Sequence, residues 1–306
     1  MPLHIETPFV RSQALSRRLG SNVLLKMEAM QPGGSFKLRG VGAVCEAQAA
    51  VGARRFVSSS GGNAGIAVAY CGRELRVPVV VVVPESTSQR ARDLIRLEGA
   101  ELIVHGTSWA EANDLARSLT GPQDAFVHPF DDPVMWSGHA TMVDEMAASG
   151  PKPDAVVLAV GGGGLLCGVL EGLWRNGWSD IPVFAVETEG TDCYTRSVAQ
   201  GRPVELAAIS SVATSLGAKR PCDHAVEWAA KHAIHNLVVS DTEAVAAALQ
   251  FLDDHRVVVE PACGAALAAL NRDHPVLRSA SSIAVIVCGG ATTSVDQLRA
   301  LDSKTG

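Results

Sequence analysis

Lysine is scarce in this 306-residue chain, so the setting of each one is informative. Of the lysines at positions 26, 37, 152, 219, 231 and 304, only Lys37 sits in a run of turn residues beside an aromatic ring, Gln31-Pro32-Gly33-Gly34-Ser35-Phe36-Lys37-Leu38-Arg39-Gly40. A lysine lifted from bulk water can keep a neutral amine, the form that attacks a carbonyl carbon or takes a proton. The same string also suits an ordinary loop lysine at a helix start. A second cluster, Ser58-Ser59-Ser60-Gly61-Gly62-Asn63-Ala64-Gly65, follows a strand and opens a helix. Hydroxyls and free N–H groups at a helix start make an anion site, and the glycines let a ligand such as a carboxylate come close. A strand-to-helix turn with a serine cap is the alternative.

The third cluster, Gly161-Gly162-Gly163-Gly164, lies between a strand and a helix. Four consecutive glycines exceed what a turn needs, and a backbone wrapped around a phosphate at a helix N-terminus explains them. The dinucleotide fingerprint fails because Leu166 and Cys167 stand at the third glycine position. The P-loop fails because Val169-Leu170 replaces Lys-Ser/Thr. What remains is a mononucleotide or a phosphorylated cofactor. The fourth cluster, Val285-Ile286-Val287-Cys288-Gly289-Gly290, ends a buried strand where ligands sit in open α/β sheets. Cys288 either faces a site or is an inert core thiol. Taken in order, the four clusters supply a lysine, a carboxylate cradle, a phosphate cradle and a polar group at a strand end. That inventory suits pyridoxal phosphate with an amino-acid substrate.

The elements that must position these groups alternate along the chain. Strands are expected at 55–58, 77–83, 101–104, 155–160, 183–187, 236–239 and 283–287, rich in Val and Ile and near-continuously apolar. Helices are expected at 65–75, 89–97, 109–119, 137–149, 165–176, 242–253 and 261–271, with Ser240 and Glu243 as a capping box. This β-α order implies parallel sheets with helix layers. Boundaries are read at 129–138 (PFDDPVMWSG) and 149–154 (SGPKPD).

Composition narrows the class. Apolar residues make up 47% and charged residues 19%, which excludes disorder and coiled coil. A net charge of -6 disfavours a nucleic-acid partner. The longest apolar run, Val77 to Val83, is too short for a bilayer, and MPLHIETPFV does not read as a signal peptide. Seven irregularly spaced cysteines, with no CxxC pair, argue against zinc or Fe–S sites and suit a reducing cytoplasm. His232 and His235 lack a third ligand and read as a surface helix end. His139 is expected at a helix start near the boundary with no catalytic role, Asp131 and Asp132 as structural, the five tryptophans as packing residues and Cys263 as core.

The chain resembles the fold-type II pyridoxal-phosphate enzymes, and most closely the serine/threonine dehydratases of the serine dehydratase and serine dehydratase-like branch. The resemblance runs along essentially the whole chain through GGSFKLRG (33–40), SSSGGNAGIAVAY (58–70), VPESTS (83–88), PFDDPVMWSGHA (129–140), AVGGGGLLCGV (159–169), SVATSLGAK (211–219), VEPACGAALAAL (259–270) and VIVCGG (285–290). It implies an α/β protein of the tryptophan synthase β-like type, with two open, twisted, mostly parallel sheets flanked by helices. A large domain would comprise 1–34 and 138–306, and a small one 35–137. The implied activity is elimination from L-serine or L-threonine, giving pyruvate or 2-oxobutyrate and ammonia. A racemase, a β-replacement synthase or a poorly active cofactor-binding relative are the alternatives.

Site roles follow from the same resemblance. Lys37 would carry the cofactor and take the substrate α-proton. Phe36 and Ser215 would lie on opposite faces of the pyridine ring, and Asn63 would bond its phenolic oxygen. Gly161, Gly162, Gly163 and Gly164 would hold the phosphate, itself the implied acid for the leaving hydroxyl. Ser60, Gly61, Gly62, Asn63 and Ala64 would bind the substrate. Cys288 would face the pyridine nitrogen; a thiol of reference pKa about 8.5 leaves that nitrogen neutral and favours elimination over racemisation. A monovalent cation, usually K+, is implied at Gly161, Glu187, Thr191, Leu216 and Ala218. A homodimer is implied. Gly34-Ser35 stands where many dehydratases have Ser-Ser, and Gly62 where close relatives have alanine, so a looser substrate loop is expected. The residues after Leu301 leave no room for a regulatory domain, so feedback control by isoleucine is not expected.

Overall fold

The computed structural model describes residues 2–305. Its strands are β1 (Phe9–Arg11), β2 (Asn22–Lys26), β3 (Arg55–Ser58), β4 (Val79–Val83), β5 (Glu101–Val104), β6 (Asp124–Phe126), β7 (Ala155–Ala159), β8 (Val183–Thr188), β9 (Ile234–Val239) and β10 (Ser282–Ile286). They form two sheets, one in the order β1-β2-β10-β7-β8-β9 and the other β5-β4-β3-β6. All pairings are parallel except β1 with β2. The parallel α/β class expected from the sequence is therefore observed.

Burial on both faces explains why the strands read as continuous apolar runs. β4 is five consecutive valines, all buried. Val79, Val81 and Val83 pack on one face with Leu38, Val41 and Phe56, while Val80 and Val82 pack on the other with Ala112 and Ala116. β7 does the same for the larger core around the six-stranded sheet.

The helix Pro133–Ser149 packs between the helices Lys37–Ala50 and Gly164–Arg175 and so connects the two sheets. Its approach to both is unusually close. A Cβ on Gly138 would lie 2.6 Å from the Arg39 carbonyl oxygen, and one on Gly168 only 2.4 Å from the His139 Cβ. Asp132 caps this helix through bonds from the Val134 and Met135 N–H groups, the structural role expected of it. The Ser240–Glu243 capping box is also present.

The structure corrects several readings. β1, β2, β6 and the helix Lys37–Ala50 were not anticipated. That helix buries Leu38 through Val41 and Val44-Cys45 on all sides, so it has no polar face to mark its period. His139 sits inside the helix Pro133–Ser149, fully buried, rather than at its start. His232 is not at a surface. It is buried, takes a bond from Trp174 Nε1 (3.1 Å) and pairs with the Ile181 carbonyl (2.8 Å). His235 lies in β9.

Candidate active site

The four sequence clusters, spread over more than 250 positions, meet between the two sheets. Lys37 is the first residue of its helix. The turn before it is tied to the segment after β10: Phe36 N donates to the Cys288 carbonyl (3.1 Å), Gly290 N donates to the Gly34 carbonyl (2.8 Å), and Ser35 bridges Gly289. Lys37 Nζ donates to the Pro129 carbonyl. The next residue, Phe130, lies against the glycine loop, since a Cβ on Gly162 would fall 2.4 Å from the Phe130 Cγ and one on Gly164 2.6 Å from its carbonyl oxygen. Trp136 Nε1 anchors that same carbonyl (2.8 Å).

Gly161 to Gly164 connect β7 to the helix Gly164–Arg175, with Gly163 at φ +95°, a conformation that side chains rarely adopt. A Cβ on Gly161 would lie 3.1 Å from the Leu216 carbonyl oxygen, and one on Gly163 2.5 Å from the Ala225 Cβ. The loop is a backbone cradle with no room for side chains, at a helix end whose first N–H groups have no partner within the helix.

Asn63 begins the helix Asn63–Leu75. Its Nδ2 donates to Glu260 Oε2 (3.0 Å) and its Oδ1 accepts from Ala291 N (2.9 Å). Ser215, in a short 3-10 turn, donates to the same Glu260 oxygen. In the preceding loop, Gly62 N donates to Ser60 Oγ (3.4 Å), Gly61 faces Thr87, and Ala64 is buried in the helix. A Cβ on Gly62 would meet nothing within 4 Å.

Electrostatics single out the lysine. Burial pulls the Lys37 ammonium down to about 8. Contact with the Cys263 thiol and burial push Cys288 well above the usual thiol range, so it stays protonated. His128 is lowered to about 4 by burial and the nearby Lys37 charge. Its Nδ1 accepts from the Asp131 (2.8 Å) and Phe130 (3.3 Å) N–H groups, which leaves the proton on Nε2.

The residues expected to hold a cation are only partly gathered. Gly161 and Leu216 touch, while Glu187 is buried and spends its two oxygens on the Tyr194 (2.8 Å) and Thr195 (2.7 Å) N–H groups. Burial raises its carboxyl to about 7. Thr191 turns its N–H to the Thr188 carbonyl, and Ala218 its N–H to the Leu216 carbonyl (2.7 Å). A surface cavity of about 310 Å³ lined by Arg18, Gln250, Phe251 and Asp254 shares none of the residues of the four clusters.

Sequence reasoning missed Pro129, Phe130 and Glu260 as site residues. The signal for Glu260 was a lone carboxylate in the apolar run Val257 to Leu270, directly before a helix-starting proline. The arrangement as a whole fits pyridoxal phosphate: a desolvated lysine, a side-chain-free cradle for a phosphate, and an amide, a hydroxyl and a protonated thiol gathered for the ring.

Comparison with known proteins agrees. Residues 1–289 match the family described as pyridoxal-phosphate dependent enzyme, and the chain belongs to that family. Within it, the chain is similar to serine dehydratase-like of Homo sapiens, at 47% identity over 100% of this chain and 96% of that protein. It is 45% identical to human L-serine dehydratase/L-threonine deaminase, again over 100% and 96%. A fungal L-serine ammonia-lyase from Rhizomucor miehei superposes with a TM-score of 0.94 at 38% identity, covering 100% of both chains.

Proposed function

We propose that this chain is an L-serine and L-threonine dehydratase, a carbon–oxygen lyase that releases pyruvate or 2-oxobutyrate and ammonia. One observation carries the reading. The Lys37 amine bonds the Pro129 carbonyl while the adjoining Phe130 packs on Gly162 and Gly164, so a neutralisable amine and a phosphate cradle face one another across two residues. The serine dehydratase names of the relatives supply the substrate class.

Bound here, pyridoxal phosphate supplies an electron sink for the substrate α-carbon. The chain supplies the rest. Lys37 would hold the cofactor, the N–H groups of Gly161 to Gly164 would take its phosphate, Asn63 would donate to its ring oxygen, and Phe36 and Ser215 would cover its two faces. The protonated Cys288 thiol would face the ring nitrogen and is too weak an acid to protonate it. Ser60, Gly61, Gly62 and Ala64 receive the substrate carboxylate. Lys37 Nζ, released as the substrate amine takes its place, would then take the α-proton. With its pKa at about 8 rather than 10.5, a large fraction of this amine is neutral near pH 8, where an ordinary lysine is almost wholly charged. Loss of the α-proton and the β-hydroxyl removes water, and hydrolysis of the resulting enamine returns the oxygen as the keto group and frees ammonia.

The same proposal includes a K+ ion at Gly161, Glu187, Thr191, Leu216 and Ala218, and the division into 1–34 with 138–306 and 35–137. It also includes a cytoplasmic homodimer with no nucleic-acid partner. Seven free cysteines support the reducing compartment, and no helix among the described residues is long and apolar enough to cross a membrane. The test is keto-acid release from cofactor-loaded protein with the L- and D-isomers of serine and threonine, in K+ and in Na+ buffer. Release from L-isomers, faster in K+, is expected. Racemised serine without keto acid would sink the reading.

A further inference from the structure

Glu260 is 2% exposed and accepts four hydrogen bonds, none from a charged donor. Its Oε2 receives Asn63 Nδ2 (3.0 Å) and Ser215 Oγ, and its Oε1 receives Thr292 N (3.0 Å) and Thr292 Oγ1 (2.5 Å). Gly290 confines it, since an added Cβ there would lie 2.1 Å from the Glu260 Cδ. The carboxylate thus sits between Asn63, on the four-stranded side, and Ser215, on the six-stranded side.

An asparagine amide has two ends that differ only in donating and accepting. Here both ends are dictated. The Glu260 carboxylate can only accept, so it demands the NH₂ end of Asn63, and the Ala291 N–H can only donate, so it demands the oxygen. One Nδ2–H is committed to Glu260 and the other is left over, with the side chain unable to turn. We propose that Glu260 is a positioning residue, which fixes the Asn63 amide so that its second N–H is aimed at the ring oxygen of the bound cofactor. This deepens the assignment of Asn63 made under the proposed function and rests on it.

The variant Glu260→Gln isolates the effect. The Thr292 backbone N–H cannot turn, so the glutamine must present its oxygen there and its NH₂ toward Asn63 and Ser215. The Ser215 hydroxyl can rotate to accept, but Asn63 meets a donor at one end and the Ala291 donor at the other. Its amide has no orientation that satisfies both. Adding Asn63→Asp restores an acceptor at each contact and removes the N–H meant for the cofactor. Thr292→Val removes one hydrogen bond from the same carboxylate without touching Asn63.

The readouts are the visible absorption maximum of the lysine-bound cofactor, the pH midpoint of that band, the apparent Kd for pyridoxal phosphate and the melting temperature. E260Q is expected to move the band and its midpoint and to weaken Kd about tenfold or more. The E260Q/N63D double variant is expected to recover the melting temperature of the parent but not its band or midpoint. T292V is expected to lower the melting temperature with the band unmoved. A double variant that regains band and midpoint with its stability, or T292V shifting the band as far as E260Q, would overturn the positioning role. If the unaltered protein released no keto acid yet E260Q still moved the band, the dehydratase reading would fall and the role of Glu260 would stand.

Discussion

Two buried polar clusters flank Lys37, and they are built on opposite principles. In the first, Arg39 is fully buried and grips the fully buried Glu28 through Nε (2.7 Å) and Nη2 (2.9 Å) and Glu145 through Nη1 (2.6 Å) and Nη2 (2.6 Å). Lys26 completes it through Glu145 and the Thr7 carbonyl (2.7 Å). Two positive and two negative groups balance. Burial alone would raise the Glu145 carboxyl, but its bonds from Arg39 and Lys26 hold it below the usual range. In the second cluster, Glu260 is bound only by neutral donors, and each residue it holds except Thr292 has been assigned to the cofactor. The difference teaches what each is for. A charge-balanced cluster is complete as folded and locks the N-terminal segment, the lysine helix and the helix Pro133–Ser149 together. A cluster with donor capacity left over is organised toward a ligand.

That contrast breaks most readily at Arg39. Arg39→Met would strand Glu28 in the interior and leave Glu145 with Lys26 as its remaining charged partner, and a loss of about 3–5 kcal/mol in urea unfolding is expected. A loss below about 1 kcal/mol would show that the balanced cluster is not the lock described. Lys37→Met should act in the reverse direction on cofactor-free protein. A folded-state pKa near 8 against 10.5 means that the buried ammonium destabilises the fold, by about 3 kcal/mol. Below about pH 8 this penalty is fully present. It fades as pH rises through the window from 8 to 10.5, where the folded lysine has lost its proton and the unfolded one still carries it. The parent should therefore gain stability across that window. K37M should lack the slope, start more stable at pH 7, and show neither keto-acid release nor the absorption of a lysine-bound cofactor. Equal slopes in the two proteins would contradict the buried amine.

Smaller effects sharpen the ligand-facing side. Gly162→Ala would push against the Phe130 ring, so a cost of about 1–3 kcal/mol is expected, together with weakened affinity for pyridoxal phosphate measured by fluorescence titration. Gly62→Ala meets open space at φ -120° and should stabilise by about 0.4–1 kcal/mol. If loop freedom costs substrate binding, its KM for L-serine should fall a few-fold, with kcat changed less. An unchanged KM would remove the loop from substrate preference.

The ligand-facing side was far more legible in the sequence than the lock. Runs of glycine have few other uses, and Lys37 stood out because lysines are rare. Glu260 was marked only as a lone carboxylate in an apolar run; its role was not legible, because its partners lie 197, 45 and 32 residues away and no local pattern encodes them. The lysine helix was missed because its first turns are buried on all sides and show no polar face. Gly40 is there because a Cβ would lie 2.4 Å from the Met135 Cγ, a constraint set by tertiary packing. β1 and β6 are three residues each, too short to show a period, and β2 ends in a lysine whose burial depends on Glu145. The parallel sheet order was legible because β4 and β7 are apolar throughout.

All seven cysteines are free and buried, and they are divided between the two halves. Cys45 and Cys71 lie in the core beside the four-stranded sheet, and Cys167, Cys222, Cys263 and Cys288 in the core around the six-stranded one, with Cys193 donating to the Gly161 carbonyl on that same side. A thiol reagent added to the folded protein therefore reacts only as each half opens. Labelling followed by peptide mapping would rank those openings residue by residue, with Cys288 timing the exposure of the proposed cofactor pocket and Cys45 and Cys71 timing the loosening of the smaller sheet.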